Sequence, residues 1–299
     1  MNRRIALLVS GLLISLLAPV TSAGAAPTSV SCIVSLSPSA TQTLFAIGAG
    51  PQVKAVDRAA TWPVGKLPPT RIDAFSPSAE AIAGICPDTP GRTSNRPDLV
   101  VISYNANSVK EKLHALGVRV IEQDAPANLS QAFGQMRQLG RVTGRATQAN
   151  ALVNRLRARI AADVRLVPPH RTSDVRVYYE LDPTFYSATS ATFVGSLLAR
   201  LGVTNIADAP ATSADAGYPQ LNQEYILSAN PTLVVLADTV CCGANATTVA
   251  ARPGWSNLDA VRGKHILALN DTLASTWGPL LGTLMDQLAA AVSSNVVLR

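Results

Sequence analysis

The sequence LSQAFGQMRQLGRVTGRATQANALVNRLRARIAADVRL, at residues 129–166, determines how the rest of the chain is organised. The stretch is compatible with helix throughout, and Gly144 is the one residue expected to interrupt it, because glycine disfavours helix interiors. In its second half, apolar and basic residues recur from one helical turn to the next, as at Leu152, Arg155 and Leu156. About 20 helical residues measure about 30 Å. We therefore expect one long, stiff helix in the middle of the chain.

Strands and helices alternate on both sides of this helix. Continuous apolar runs predict buried strands at residues 32–36, 53–56, 99–103, 118–123, 175–181, 233–237 and 266–269. Helical segments are predicted between them at residues 38–48, 76–85, 108–116, 192–201 and 222–229, with a last one at 279–296. Apolar strands separated by helices are typical of a parallel sheet covered on both faces. The predicted fold is α/β, with two lobes joined by one long helix.

An internal repeat supports two related lobes. In each copy a helix that begins with Glu precedes a proline and a β-branched strand, at residues 80–103 and again at residues 224–237. An aromatic-Pro pair lies before each copy, Trp62-Pro63 and Tyr218-Pro219. Buried parallel strands commonly have such sequences. The aromatic-Pro pair, the helix that begins with Glu, the proline and the strand nevertheless occur in the same order in both copies. This common order favours a repeated unit.

Composition and charge exclude several classes of protein. The chain has 299 residues, of which 47% are hydrophobic and 15% charged, and this excludes disorder, collagen and coiled coil. The net charge of +6 is spread along the chain without a basic block, so nucleic acid is not an expected partner.

The first 25 residues have the features of a signal peptide. Arg3 and Arg4 precede an apolar stretch of about 16 residues, which is short of the roughly 20 needed to span a bilayer. Small residues at 23–25 predict cleavage after Ala25. Cys32 lies too far downstream to be a lipidated first residue. The mature protein is therefore expected to be exported, periplasmic or otherwise extracytoplasmic, without a lipid anchor.

Four cysteines in an exported chain favour two disulfides. One bridge in each half, Cys32 with Cys86 and Cys241 with Cys242, is the simplest pairing, although pairings between the halves stay open. No C-x-x-C unit is present, and the three histidines, His114, His170 and His265, are scattered, so no metal site is expected.

Several motifs resemble the periplasmic substrate-binding proteins for cobalamin and ferric siderophores, and most closely the cobalamin-binding subgroup. They lie in the same order as in that family, at residues 33–41 (IVSLSPSAT), 44–50 (LFAIGAG), 97–101 (PDLVV), 252–255 (RPGW), Leu258 and 260–262 (AVR). The resemblance implies two Rossmann-like lobes with parallel sheets, at residues 26–142 and 169–299, joined by a backbone helix at residues 143–168. It further implies a monomer that binds a small molecule between the lobes and delivers it to an ABC permease dimer in the membrane.

In that family a glutamate on each lobe docks to the permease, and Glu80 and Glu224 are the matching residues here. Both are predicted to lie in the first turn of a helix, where the helix dipole favours an anion. A solvated glutamate that only matches the dipole is the simpler explanation for either residue alone. Their equivalent places in the repeat favour docking.

The ligand is expected at the carboxyl ends of the strands, where open α/β sheets bind ligands. Aromatic residues on these loops suggest contacts with a broad, flat molecule. Phe185 and Trp255 are expected in the core instead. The predicted ligand-binding residues are Ser37, Pro38, Trp62, Tyr104, Asn105, Tyr186, Tyr218 and Trp277.

The sequence leaves two classes of ligand open, corrinoids and iron chelates. Cobalamin binders tend to have Trp at the place of Tyr218 and Arg near Ser275 and Thr276. Siderophore binders generally supply several arginines that converge on the ligand, whereas Arg58 is the one arginine near these loops. We expect a corrinoid, with a ferric siderophore or haem as the alternative and no cofactor. An enzyme is not expected, because the sequence has no G-x-S-x-G motif, and its Gly-Ala-Gly at residues 48–50 follows a helix rather than a strand.

Overall fold

The computed structural model describes residues 30–87, 94–168 and 174–297. Two parallel sheets lie on either side of a central helix in these residues. The predicted signal peptide and His170 lie outside the described residues. No helix among the described residues is both long enough and apolar enough to cross a membrane.

The first lobe is built on a five-stranded sheet. Its elements are β1 (Ile33–Leu36), α1 (Pro38–Ala46), β2 (Val53–Asp57), β3 (Arg71–Ile72), α2 (Ala79–Ala83), β4 (Leu99–Ile102), α3 (Val109–Ala115) and β5 (Val120–Glu122). The strand order is β3-β2-β1-β4-β5, and all pairs are parallel, with Val34 opposite Val100. Every residue of β1 and β4 is buried. This explains why both strands are apolar along their whole length, apart from Ser35 in β1.

Two helices follow the first sheet, α4 (Leu129–Val142) and α5 (Ala146–Leu166). The interruption between them includes Gly144, as predicted, with a φ of +72° that favours glycine. The two helices pack closely near this turn, because a Cβ atom at Gly140 would collide with the side chain of Ala149. With 21 residues, α5 is about 30 Å long.

The second lobe is built on a four-stranded parallel sheet of order β7-β6-β8-β9. Its elements are β6 (Arg176–Glu180), α6 (Phe193–Arg200), β7 (Thr204–Asn205), α7 (Gln223–Ala229), β8 (Leu233–Leu236), α8 (Ala246–Ala250), α9 (Asp259–Arg262), β9 (Ile266–Ala268), α10 (Asp271–Ala274) and α11 (Leu281–Val297). The last helix returns to α5, where Asp286 accepts a 3.1 Å hydrogen bond from Nε of Arg159.

One hydrophobic core passes through both lobes. A single buried cluster includes residues of α1, α4, α5, β6 and α11, among them Leu44, Leu139, Val153, Val177 and Leu288. Each sheet also packs against a separate cluster on its other face. The lobes are therefore joined by shared side-chain packing as well as by the backbone helix.

The predicted repeat is present in the structure. Helix α2 precedes β4, helix α7 precedes β8, and each of these strands has a neighbour on both sides in its sheet. Ser78 accepts a hydrogen bond from the amide of Ala81, and Asn222 accepts one from the amide of Tyr225. These caps fix the start of each helix. The prediction of a helix from residue 76 to 85 was therefore too long, because α2 starts only after Ser78.

Candidate functional site

The carboxyl edges of the two sheets meet through three hydrogen bonds between the lobes. The hydroxyls of Thr61 and Thr272 lie 2.7 Å apart, and the side-chain amide of Gln42 donates to the hydroxyl of Thr276 at 3.1 Å. The amide of Trp277 donates to the hydroxyl of Ser39, also at 3.1 Å. Each of these residues comes after the carboxyl end of a strand, which is β1, β2 or β9. The carboxyl ends of β1, β2 and β9 therefore meet at one junction between the lobes.

Exposed apolar side chains are concentrated on loops that follow the carboxyl ends of strands in both sheets. Seven large hydrophobic residues are exposed in the described part of the chain, and six of them follow a strand's carboxyl end. The seventh, Leu166, ends the backbone helix. The six lie one on each loop after β2, β3, β4, β6, β7 and β8, namely Val64, Phe75, Tyr104, Tyr186, Tyr218 and Val240.

Three of the six, Tyr104, Tyr186 and Tyr218, were predicted from the sequence. Phe75 was missed, although its ring centroid lies 5.5 Å from that of Tyr104. Its neighbours on both sides are polar or small, and β3 is only two residues long, so no strand pattern marked its loop. Val64 and Val240 are not among the predicted ligand-binding residues, because a single valine in a loop carries no signal.

The two predicted tryptophans are both half-buried. Trp62 is joined to Pro63 by a cis peptide bond and follows Thr61, which contacts the second lobe. Trp277 packs against the core that passes through both lobes. Both residues are thus beside the inter-lobe hydrogen bonds.

Three of the predicted ligand-binding residues, Ser37, Pro38 and Asn105, lie at or near the starts of helices. The hydroxyl of Ser37 is buried and caps α1 by accepting from the amide of Ala40, and Pro38 is the first residue of that helix. The side chain of Asn105 donates to Glu111 and accepts from the amide of Lys110. Contacts with the first turn of a helix account for these residue types, and their contact with a ligand stays a prediction.

Phe185 and Trp255 belong to the core of the second lobe, as predicted. Their rings stack with centroids 5.9 Å apart, and the guanidinium of Arg252 lies beside both, 5.5 Å from the ring of Phe185 and 4.6 Å from that of Trp255. This arginine donates two hydrogen bonds, of 2.5 and 2.7 Å, to the buried carboxylate of Glu180. The pair was not found from the sequence, because its members are 72 residues apart.

A second carboxylate, Asp238, lies near this pair. Its side chain is fully buried, and neither oxygen has a hydrogen-bond partner among the described residues. Burial, and to a lesser extent the charge of Glu180, raise the pKa of Asp238 to about 6. Inside the lobe, the carboxylate of Glu180 already balances the positive charge of Arg252.

The loops at the carboxyl ends of the strands, here called the cleft loops because the ligand cleft is predicted there, carry few charges. Arg58 lies 4.0 Å from Asp73, and Arg71 donates to the carbonyl of Ala60 at 2.7 Å. No group of three potential metal-ligating side chains occurs in the described residues. The site offers apolar and aromatic surface rather than a set of charged ligands.

Both disulfides of the simplest predicted pairing are present. Cys32 and Cys86 form a buried bridge beside β1, whereas Cys241 and Cys242 form a bridge between adjacent residues on the exposed loop after β8.

Glu80 and Glu224 occupy the same position of equivalent helices. Each is the second residue of its helix, after the caps Ser78 and Asn222, and each is exposed. The backbone amide of Glu80 itself, and the hydroxyl of Ser78 that donates to its carboxylate at 3.1 Å, lower the pKa of Glu80.

Two curated relatives cover most of the chain. A "Cobalamin-binding protein" of Halobacterium salinarum is 29% identical over 274 residues, which are 89% of this chain and 70% of the relative. An "Uncharacterized ABC transporter substrate-binding lipoprotein YvrC" of Bacillus subtilis is 24% identical over 87% of this chain and 79% of its own.

Two solved structures have the same fold. The heme-binding protein RhuT of Roseiflexus has a TM-score of 0.72 at 24% identity, over 89% of this chain and 99% of RhuT. The vitamin B12 binding protein BtuF of Vibrio cholerae has a TM-score of 0.69 at 18% identity, over 88% of this chain and 96% of BtuF. Residues 33–273 match the family described as "Periplasmic binding protein", which includes both sheets and the helix between them. The chain belongs to the periplasmic binding protein family.

Proposed function

We propose that the protein binds a corrinoid, such as cobalamin, in the cleft between its lobes and delivers it to an ABC permease. The observation that carries this proposal is the placement of six exposed apolar side chains, one on each of six loops at the facing edges of the sheets. A broad ligand can contact many of these loops at once. Burial of apolar surface contributes about 25 cal/mol for each Å² removed from water.

The small number of charges on the loops favours a corrinoid over an anionic ferric siderophore. Of the arginines near the cleft, Arg252 is paired with Glu180 inside the lobe, and Arg58 lies near Asp73. An anionic chelate would gain most from arginines that are free to form bidentate contacts. The cobalamin-binding relative from Halobacterium salinarum supports the same choice.

Haem is the second candidate, because three of the six exposed side chains are tyrosines, and tyrosine is a known ligand of haem iron. Iron binds the phenolate form. Burial raises the pKa of Tyr218 and of Tyr104, which opposes formation of a phenolate there. This observation favours the corrinoid.

Titration of the purified protein tests the proposal. We expect cyanocobalamin and cobinamide to bind with micromolar or tighter affinity in calorimetry, and hemin and a ferric hydroxamate to bind at least tenfold more weakly. Tighter binding of hemin would transfer the assignment to haem. If no probe binds, the proposed function is wrong.

Further parts of the proposal concern the protein's place in the cell. We propose that residues 1–25 direct export and are cleaved off after Ala25. The mature protein then acts as a monomer without catalytic activity. Its lobes are proposed at residues 26–142 and 169–299, with a connecting helix at residues 143–168. The bridge between Cys32 and Cys86 supports the absence of a lipid on Cys32, since its sulfur is already bonded. The mass of the exported protein tests the cleavage site and the absence of lipid.

Docking of the permease is proposed at Glu80 and Glu224. Their helices start after β3 and β7, so both carboxylates lie toward the carboxyl edges that border the cleft. A symmetric permease dimer could then offer one basic pocket to each lobe.

A further inference from the structure

The bridge between Cys241 and Cys242 has no evident role in stability. A disulfide stabilises a fold chiefly by restricting the unfolded chain, and this effect grows with the length of the closed loop. A bridge between adjacent residues closes almost no loop. Both cysteines are exposed, in contrast to Cys32 and Cys86, which are 1% and 3% exposed.

The loop that carries this bridge is held firmly in place. The carboxylate of Asp271 accepts hydrogen bonds from the amides of Val240 and Cys241, at 2.8 and 2.7 Å. The hydroxyl of Thr239 donates to the carbonyl of Leu269 at 2.7 Å. A bridge on a fixed loop presents a preformed surface, so little conformational entropy is lost when a ligand contacts it.

The same contacts place the bridge near the junction of the two lobes. Asp271 holds the loop and is followed directly by Thr272, whose hydroxyl lies 2.7 Å from that of Thr61 in the first lobe. Trp62 is the next residue along the first lobe. The bridge and Trp62 are therefore linked by two hydrogen bonds, from Cys241 to Asp271 and between Thr272 and Thr61, at the junction of the lobes.

The surface at this place is apolar and polarisable. Val240, which precedes the bridge, is 68% exposed. Oxidation removes two S–H donors, and divalent sulfur makes favourable contacts with conjugated rings. A hydrated loop tip would ordinarily carry small polar residues instead.

We propose that the disulfide of Cys241 and Cys242, together with Val240, is a ligand contact of the cleft that packs against the conjugated ring of a flat macrocycle. This inference rests on the proposed function and extends it to a particular loop. It requires the oxidised form, because two free thiols would lose the continuous sulfur surface.

Protection from reduction tests the contact directly. Dithiothreitol passes two electrons and two protons to the bridge, which gives two cysteine thiols and cyclic oxidised dithiothreitol, and iodoacetamide then labels the thiols for mass spectrometry. We expect saturating cyanocobalamin, or hemin if that is the probe that binds, to slow labelling of Cys241 and Cys242 at least tenfold. Occupancy of the protein is measured in the same samples by the absorbance of the bound probe.

A paired substitution provides the second measurement. In Cys241→Ser/Cys242→Ser the size of each side chain is nearly kept, and we expect affinity for the bound probe to fall about tenfold with an unchanged unfolding midpoint. Leu166→Ser is the control, since Leu166 is 75% exposed on α5 and should leave affinity unchanged. Full occupancy without slower labelling, or an unchanged affinity of the double variant, would overturn the contact while the proposed function stands. If neither probe binds, the proposed function fails and the contact fails with it.

Discussion

Arg252 places its guanidinium against the fully buried carboxylate of Glu180, with two hydrogen bonds of 2.5 and 2.7 Å. The guanidinium also lies 4.6 Å from the ring of Trp255, which is itself completely buried. The motif at residues 252–255, which resembles a family signature, therefore contributes to the packing of the second lobe. It neutralises a charge at the end of β6, at the base of the cleft loops.

Removal of Arg252 should destabilise the protein strongly. Arg252→Met leaves the carboxylate of Glu180 buried without its partner, and loss of one member of a buried ion pair costs about 3–5 kcal/mol. Arg58→Met is the matched control, because Arg58 is exposed and lies 4.0 Å from Asp73. It should cost less than about 1 kcal/mol. Urea unfolding of both variants measures the difference, and equal costs would contradict the assigned role of the buried pair.

Asp238 should make stability depend on pH. Its pKa is raised from 3.8 to about 6 in the folded protein, chiefly by burial. The folded state therefore binds the proton more tightly than the unfolded state, and the contribution of this group to stability is lost as the pH rises from about 4 to about 6. Asp238→Asn should gain up to about 3 kcal/mol relative to the parent over this range.

Urea unfolding of the parent and of Asp238→Asn at a series of pH values measures this gain. Below pH 4 the difference between the two proteins should no longer change with pH, which serves as an internal control. A difference that is constant from pH 4 to pH 7 would show that Asp238 does not titrate as expected.

The two disulfides should contribute very differently to stability. Cys32 and Cys86 are 54 residues apart, so Cys32→Ser/Cys86→Ser should cost about 4 kcal/mol if the chain-entropy account holds. Cys241→Ser/Cys242→Ser should change the free energy of unfolding by less than about 1 kcal/mol, because adjacent residues close almost no loop. Denaturant midpoints of the two double variants give the comparison. Similar losses would mean that the exposed bridge supports the fold.

The aromatic loops should determine ligand affinity. Trp62→Ala or Tyr218→Ala should weaken binding by about 1–3 kcal/mol through lost stacking and buried area. Leu166→Ala removes a comparable exposed apolar side chain from α5 and should leave the affinity unchanged. Calorimetry with cyanocobalamin and hemin measures all three. Unchanged affinity in both aromatic variants would place the pocket elsewhere.

The sequence was informative where a pattern extends over many residues. The buried strands and the central helix with its interruption at Gly144 were predicted, because burial on both faces and helical periodicity constrain every position of such elements. Helices α8, α9 and α10 were missed, because four or five residues are too few to show a period.

The candidate site was only partly predictable for a different reason. The position of a loop after a strand can be read from the sequence, but the direction of one side chain cannot. Ser37 and Asn105 have polar side chains on the expected loops, yet both bond to nearby helix residues. Phe75 has no distinguishing neighbours, yet it is 76% exposed beside Tyr104. Such differences arise from tertiary contacts.

Glu80 and Glu224 should be needed for transport and dispensable for ligand binding. Each is the exposed second residue of a helix at the start of a repeated unit, so a two-fold related pair of lobes should present both carboxylates from one face of the molecule. Glu80→Gln and Glu224→Gln each remove a charge pair with the permease worth roughly 1–3 kcal/mol and keep the size of the side chain. We expect the double variant to bind the ligand as the parent does and to lose uptake in cells that carry the permease. Glu111→Gln is the control, since Glu111 is also an exposed first-turn glutamate, on α3, but lies outside the repeat. Normal uptake by the double variant, or equal loss in the control, would contradict docking at these two residues.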